Sequence, residues 1–200
     1  MAKTSGIVNF EGTVEDLTFY KRNGKTLVRR KGGISGERIK TEPNFVRTRE
    51  NNSEFGHCCT SSKVLRLAMG TLVHKAKDGK LSNRLMQMLT RAKNMDSTSK
   101  RGLRKVGIGI MTPSGRQLFN GFDFNKNAPL QSVLFAPYDV DTVNGMVAIA
   151  DFVPAEQLHF PEGATHVSLQ SGVAIVDFLT EDSNLSLSPA LTLPIDLTVT

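Results

Sequence analysis

The chain has 200 residues, of which 39% are hydrophobic and 22% are charged, a balance that excludes wholesale disorder. It contains no run of about 18 apolar residues, so we expect no membrane span. Residues 1–105 hold 23 of the 25 Lys and Arg and 9 of the 19 Asp and Glu, a net charge of +14, whereas residues 106–200 carry −8. This division predicts two domains with different surfaces, a basic hairpin plus helical region over 1–105 and an acidic β-rich domain over 106–200.

Residues 6–33 are predicted to form a small β element built around a hairpin. The runs 17–22 and 25–30 flank Asn23-Gly24. Asn-Gly between two such runs is a strong hairpin signal, because a type I′ turn needs a positive φ at both central residues. The two-residue turn places Tyr20 opposite Leu27. It also places Arg22 opposite Lys25, and this pair of like charges is unfavourable unless an anion or a carboxylate lies beside it.

Residues 36–105 are predicted to be helical. Apolar residues recur at helical spacing from Phe45 to about Leu72, and a break is expected near Gly56. Ser82 is the expected N-cap of a second helix. Asp96 is expected to cap a short third helix that carries four basic residues between 100 and 105.

After residue 107, short apolar runs alternate with Gly, Pro, Asn and Asp, which is typical of an antiparallel β-sandwich. These runs are 130–137, 146–153, 165–170, 173–179 and 185–199. The predicted fold class is therefore α+β, with an N-terminal basic β-hairpin, a helical middle segment and a C-terminal antiparallel β-sandwich-like domain.

The last of these runs is the most regular. Polar residues and proline alternate there with five apolar residues, Leu191, Leu193, Ile195, Leu197 and Val199. The alternation predicts a half-buried strand, and Pro194 restricts that strand to an edge or a bulge. Such a strand either pairs within its own sheet, which is the favoured interpretation, or makes an edge-strand contact with a neighbouring copy.

Several motifs resemble those of an uncharacterised family of bacterial and prophage-like proteins. The most specific is Arg47-Thr-Arg-Glu-Asn51, and the others are Asn120-Gly-Phe-Asp-Phe-Asn125, Leu134-Phe-Ala-Pro-Tyr138 and Gly163-Ala-Thr-His166. The resemblance spans nearly the whole chain and brings no established activity. It implies that further strands complete the C-terminal sheet, supplied by another subunit if they are absent from this chain. A more remote likeness to small phage-associated proteins favours a virion-like structural role.

Motifs for chemistry are absent from the sequence. The segment Gly107-Ile-Gly109 has neither P-loop nor dinucleotide-binding spacing, and a turn is the favoured interpretation. His57, Cys58 and Cys59 are adjacent but have no second Cys/His pair nearby, which favours ordinary helix residues over a metal site. No Gly-x-Ser-x-Gly elbow is present. We therefore predict a protein that is not an enzyme and that uses no metal, cofactor or small-molecule substrate.

The basic half has two candidate partners, nucleic acid and the acidic half of another copy. Eight basic residues are predicted to make these electrostatic contacts: Lys21, Arg22, Lys25, Arg29, Arg30, Lys31, Arg47 and Arg49. Opposite surfaces on one chain favour head-to-tail assembly into rings or filaments. Basic residues beside aromatic ones favour sequence-nonspecific nucleic-acid binding. The leading hypothesis is a self-assembling homo-oligomer of virion, capsid or filament type, and nucleic-acid binding is the alternative.

The first residues contain no apolar stretch of signal-peptide length. We therefore expect cytoplasmic synthesis without a cleaved signal, and a final location either there or in a virion or another released assembly.

Overall fold

The structure is a computed structural model that describes residues 2–3 and 11–200. Residues 6–10 of the predicted β element therefore lie outside the described residues. The fold is mixed, with both helices and strands, which confirms the α+β class. The chain separates into two compact units, residues 1–49 and residues 50–200.

The first unit contains a four-stranded antiparallel sheet with the order β1-β4-β3-β2. Its strands are β1 (Ala2–Lys3), β2 (Gly12–Val14), β3 (Leu17–Arg22) and β4 (Lys25–Arg30). The predicted hairpin is confirmed, with φ values of 52° at Asn23 and 72° at Gly24. The register is also the predicted one, since Tyr20 pairs with Leu27 and Arg22 with Lys25.

A short helix, α1 (Gly36–Thr41), and a 3₁₀ turn (Pro43–Phe45) complete the first unit up to the start of α2 (Val46–Ala68). The Ser35 hydroxyl caps α1 by accepting a hydrogen bond from the Arg38 N–H at 3.3 Å.

The helical middle segment is confirmed, but its predicted boundaries are partly wrong. Helix α2 continues through Gly56, and the interruption comes at Gly70, whose φ is +49°. Two further helices follow, α3 (Gly70–Ala76) and α4 (Leu81–Asn94). Ser82 is not the N-cap of α4, because Lys80 holds that position and Asp78 accepts the Lys80 N–H at 2.6 Å.

The core of the second unit lies against α4. Leu85, Leu89 and Ala92 recur every three or four residues along that helix and are fully buried. Two clusters meet on this face, one with Cys58 of α2 and one with Val73 of α3.

The glycine-containing segment after residue 105 is helical, so the interpretation as a turn is wrong. It forms α5 (Val106–Ile110) and α6 (Pro113–Gln117). A Cβ on Gly109 would lie 1.9 Å from the Ala92 carbonyl oxygen, so only glycine allows α5 to approach α4 this closely.

The C-terminal region forms three separate antiparallel pairs, and the described residues show no closed sandwich. The pairs are β5 (Asp139–Asp141) with β6 (Met146–Ala148), β7 (His166–Leu169) with β10 (Leu191–Pro194), and β8 (Gly172–Val176) with β9 (Ser183–Leu187). A one-turn helix, α7 (Leu130–Val133), precedes them, and another, α8 (Pro154–Gln157), lies between β6 and β7. The α+β class is thus shown, whereas the sandwich-like arrangement stays a prediction.

Packing in the second unit crosses the charge boundary at 105/106. Val106 and Phe178 lie in the same cluster as Cys58 and Leu89. The 105/106 domain boundary therefore rests on composition and stays a prediction. Among the described residues, no helix is long and apolar enough to cross a membrane.

Candidate functional site

The basic residues on the two faces of the hairpin differ in whether acidic side chains lie beside them. Antiparallel pairs place alternate residues on alternate faces. One face, here the Phe19 face, consists of Leu17, Phe19, Lys21, Thr26, Val28 and Arg30, and the other, the Tyr20 face, consists of Thr18, Tyr20, Arg22, Lys25, Leu27 and Arg29. The predicted contact residues are thus divided between two opposite surfaces.

Basic residues on the Phe19 face have acidic partners. Lys21 Nζ lies 3.7 Å from Glu11, and Arg30 lies 3.5 Å from Asp16. All four side chains are largely exposed, so these pairs contribute little to stability. They nevertheless neutralise the positive charge of this face.

Basic residues on the Tyr20 face have no acidic partner among the described residues. Arg22, Lys25 and Arg29 are all exposed. The Arg29 guanidinium lies over the Tyr20 ring, 5.6 Å from its centroid, in a cation–π contact. The like-charge pair Arg22–Lys25 therefore faces solvent.

The remaining predicted contact residues play different parts. Arg49 is half-buried and donates hydrogen bonds to the carbonyls of Ile39 and Glu42 at 2.7 and 2.9 Å, so it holds the end of α1. Arg47 and Lys31 are exposed. Arg49 is thus committed to the fold rather than available to a partner.

A buried ion cluster joins α2, α4 and the loop 95–105. Glu54 of α2 is 3% exposed and accepts two hydrogen bonds from Arg104, both at 2.7 Å. It also accepts from Lys93 of α4 and from the Gly102 N–H. The Arg104 guanidinium, with Lys93 and Gly102, overcomes the effect of burial and lowers the pKa of Glu54 to about 2.

The loop 95–105 is organised by Asp96 rather than by the predicted third helix, which is absent. Asp96 accepts from the N–H groups of Thr98, Ser99 and Lys105, each at 3.0 Å. Burial raises the pKa of Asp96, but these hydrogen bonds more than offset it and leave the pKa lowered. The Asp96 carboxylate therefore turns the chain back toward α2.

His57 and the two cysteines lie on α2, and among the described residues no group of three His, Cys, Asp or Glu side chains converges on a metal position. His57 Nε2 accepts the Val106 N–H at 2.9 Å, and burial lowers the pKa of the imidazole. Cys58 is buried, Cys59 is exposed, and both are free thiols. The cluster around Glu54 joins three chain segments. The prediction that the protein is not an enzyme stays a prediction.

The last predicted strand is shorter than expected. Within 191–199 only Leu191–Pro194 is a strand, and it pairs with β7, as the favoured interpretation required. Leu193 and Ile195 are half-buried, whereas Leu197 and Val199 are 70% and 60% exposed.

One edge of β10 has no neighbouring strand among the described residues. The Ile195 N–H donates to the Thr165 carbonyl, in register with the β7–β10 ladder. Because hydrogen-bonded pairs alternate in antiparallel sheets, the N–H of Thr192 points to the opposite edge. Pro194 has no N–H to offer at that edge.

The C-terminal region leaves most of its large apolar residues uncovered. Among residues 130–200, the buried apolar residues are Ala136, Phe152, Pro154 and Leu158, whereas fifteen large apolar side chains are exposed. Several of these exposed side chains line an open cavity of 730 Å³ bounded by β5, β6, β7 and β10. The exposed apolar side chains that line this cavity are called the apolar surface below: Leu130, Tyr138, Val140, Met146, Val147 and Leu191. The sequence showed the apolar runs and raised a contact with another copy for 191–199, but it did not show that the other runs stay uncovered.

A scan against protein-family models finds no match, and searches of curated proteins and of solved structures find none either. The resemblance to the bacterial and prophage-like family therefore stays an interpretation of the motifs.

Proposed function

We propose that this protein is a non-enzymatic structural subunit that assembles with further copies of itself, in a virion, capsid or filament type of structure. The observation that carries this proposal is the apolar surface, since six of the fifteen large apolar side chains that residues 130–200 expose line one open cavity. Apolar patches of this extent mark surfaces that a partner covers.

The total exposed area supports a chain that is completed by partners. A folded monomer of this mass exposes about 9300 Å², or about 11000 Å² if its two units are counted as separate globules. This chain exposes 14292 Å². The excess is comparable to the area that obligate interfaces bury, about 2000–5000 Å².

The three C-terminal strand pairs give a second line of support. A single two-stranded pair is marginally stable in water, and three or more strands with an apolar face are needed for independent stability. Among the described residues, none of these pairs has a third strand beside it. Strands or apolar segments from other copies would stabilise these pairs.

The charge division gives an assembly its direction. Positive charge in residues 1–105 and negative charge in residues 106–200 favour contacts between oppositely charged surfaces of two copies. Charge contacts weaken with salt, whereas burial of the apolar surface does not. We therefore expect the assembly to form faster at low salt and to persist at about 1 M NaCl, beyond the range in which exposed charges act.

Size-exclusion chromatography with light scattering, over a range of protein and salt concentrations, tests the proposal. The double variant Met146→Asp with Leu191→Asp changes two side chains of the apolar surface that are 58% and 55% exposed, and it is expected to yield monomers. Its matched control is Leu103→Asp with Met111→Asp, which lie outside that surface and are 63% and 70% exposed. The control should still assemble. A wild-type chain that is monomeric at every concentration and salt would overturn the proposal, as would equal loss of assembly in both variants.

A further inference from the structure

The Tyr20 face of the hairpin has the arrangement of a single-strand nucleic-acid site. Its three cations, Arg22, Lys25 and Arg29, are exposed and have no acidic partner among the described residues. On the opposite face, Lys21 and Arg30 are paired with acids. The hairpin thus has one face on which acidic residues neutralise the basic ones. On its other face, three positive charges have no acidic partner among the described residues.

The spacing of this face alternates charge with an aromatic ring. Arg22 and Lys25 lie directly opposite each other, with Cβ atoms about 5 Å apart. Tyr20 and its partner Leu27 lie two residues further from the turn on their strands, a distance of about 7 Å. Arg29 follows, about 13 Å from Lys25. The face therefore runs from a cation pair, through an aromatic ring, to a third cation.

We propose that the Tyr20 face binds single-stranded nucleic acid without sequence preference. Phosphates would lie against the Arg22–Lys25 pair and against Arg29, and a base would stack with Tyr20 and the Arg29 guanidinium, which already contacts the ring. Binding of a phosphate at the turn removes the repulsion between two like charges that face each other across the hairpin.

Two features favour nucleic acid over an acidic protein surface as the occupant. An aromatic ring between the cations does not contribute to binding a carboxylate, whereas a nucleic-acid base stacks on it. The cations also lie on one face of the hairpin, so a single strand can follow them with its bases and phosphates together. This inference does not depend on the proposed assembly, because it uses only residues of the first unit.

The test uses the full chain, freed of nucleic acid. Its affinity for a fluorescein-labelled oligothymidylate of twelve nucleotides is measured over a series of NaCl concentrations. The variant Arg22→Gln with Lys25→Gln should bind at least tenfold more weakly at low salt. It should also lower the slope of log affinity against log salt by about 1.4, since two phosphate contacts are lost. Tyr20→Leu should weaken binding about fivefold or more and leave that slope unchanged.

The matched control is Lys21→Gln with Arg30→Gln, which removes the same charge from the same hairpin but on the Phe19 face. Its affinity for oligothymidylate and its slope of log affinity against log salt should both stay within about twofold of the wild-type values, because Glu11 and Asp16 already neutralise these residues. Far-UV circular dichroism checks that every variant is folded. The assembly variant Met146→Asp with Leu191→Asp should bind oligothymidylate as wild type does, which separates this site from the apolar surface.

Four results would overturn the inference. They are no binding of oligothymidylate at 50 mM NaCl, equal loss in the two charge variants, tighter binding of a duplex of equal length, and equal binding of an oligoglutamate peptide of equal charge. The last of these outcomes would assign the face to an acidic protein surface.

Discussion

Glu54 and Arg104 are fifty residues apart in the chain and form a bidentate ion pair with both hydrogen bonds at 2.7 Å. Because Glu54 is almost fully buried, its charge depends on Arg104 and on Lys93, which is also buried. The three charges tie the loop 95–105 to α2 and α4. This cluster therefore adds a charged link between α2 and α4 to the apolar packing of Cys58 against Leu89 and Ala92.

Glu54→Gln is expected to lower the free energy of unfolding by about 3–5 kcal/mol, because it leaves the buried Lys93 ammonium without a counter-charge. Urea unfolding monitored by the helical circular dichroism signal measures the loss. The matched control is Glu42→Gln, which removes a half-buried partner of the exposed Arg38 and should change little. Similar losses in the two variants would show that the buried cluster contributes no more to the free energy of unfolding than the Arg38–Glu42 pair does.

Acid is expected to destabilise the second unit through the same carboxylate. The Arg104 guanidinium and Lys93 lower the pKa of Glu54 from 4.5 to about 2. A lowered folded-state pKa contributes stability that is present above the unfolded value and lost as the pH falls toward the folded value. We therefore expect a loss of roughly 3 kcal/mol between pH 5 and pH 2. Glu54→Gln should show a smaller loss over that range, and an unchanged pH profile in this variant would contradict the assignment.

Two glycines in helices are expected to respond oppositely to alanine. Gly109→Ala places a Cβ 1.9 Å from the Ala92 carbonyl oxygen, so α5 must move away from α4, and we expect a loss of about 2 kcal/mol or more. Gly56→Ala meets no atom within 4 Å in the middle of α2 and should stabilise by about 0.5–1 kcal/mol. Thermal unfolding of the two variants compares them directly. A destabilised Gly56→Ala variant would indicate that α2 is covered there by a partner.

Features that depend on neighbouring residues were predictable from the sequence. The hairpin and its register follow from Asn23-Gly24, whose positive φ values select one turn type. The buried stripe of α4 follows from apolar spacing. The continuity of α2 was not predictable in this way, because packing along the helix offsets the cost of Gly56. Asp96 shows the same limit, since its cap chemistry was recognised but serves a loop instead of a helix.

Features that depend on distant residues were missed. Glu54, Lys93 and Arg104 come from three segments, and spacing along the chain carries no signal of their meeting. One hint was present, since Glu54 is the only acidic residue between positions 51 and 77 in a basic stretch. The apolar surface was missed for a similar reason. Alternation predicts which side chains share a face of a strand, but not whether anything in the same chain covers that face.

The open edge of β10 gives a direct test of strand-mediated assembly. Thr192→Pro removes the one N–H that points away from β7 between Leu191 and Pro194. It leaves the backbone hydrogen bonds to β7 in place and removes one side-chain bond, between the hydroxyls of Thr192 and Ser168 at 2.8 Å. If a strand of a neighbouring copy pairs with this edge, the variant should remain folded and lose assembly, as measured by light scattering. Leu193→Pro is the matched control, because it removes an N–H that points toward β7 and should lower the unfolding temperature of the chain itself. Assembly that persists in folded Thr192→Pro would restrict the contact to side chains of the apolar surface and would exclude pairing through this edge.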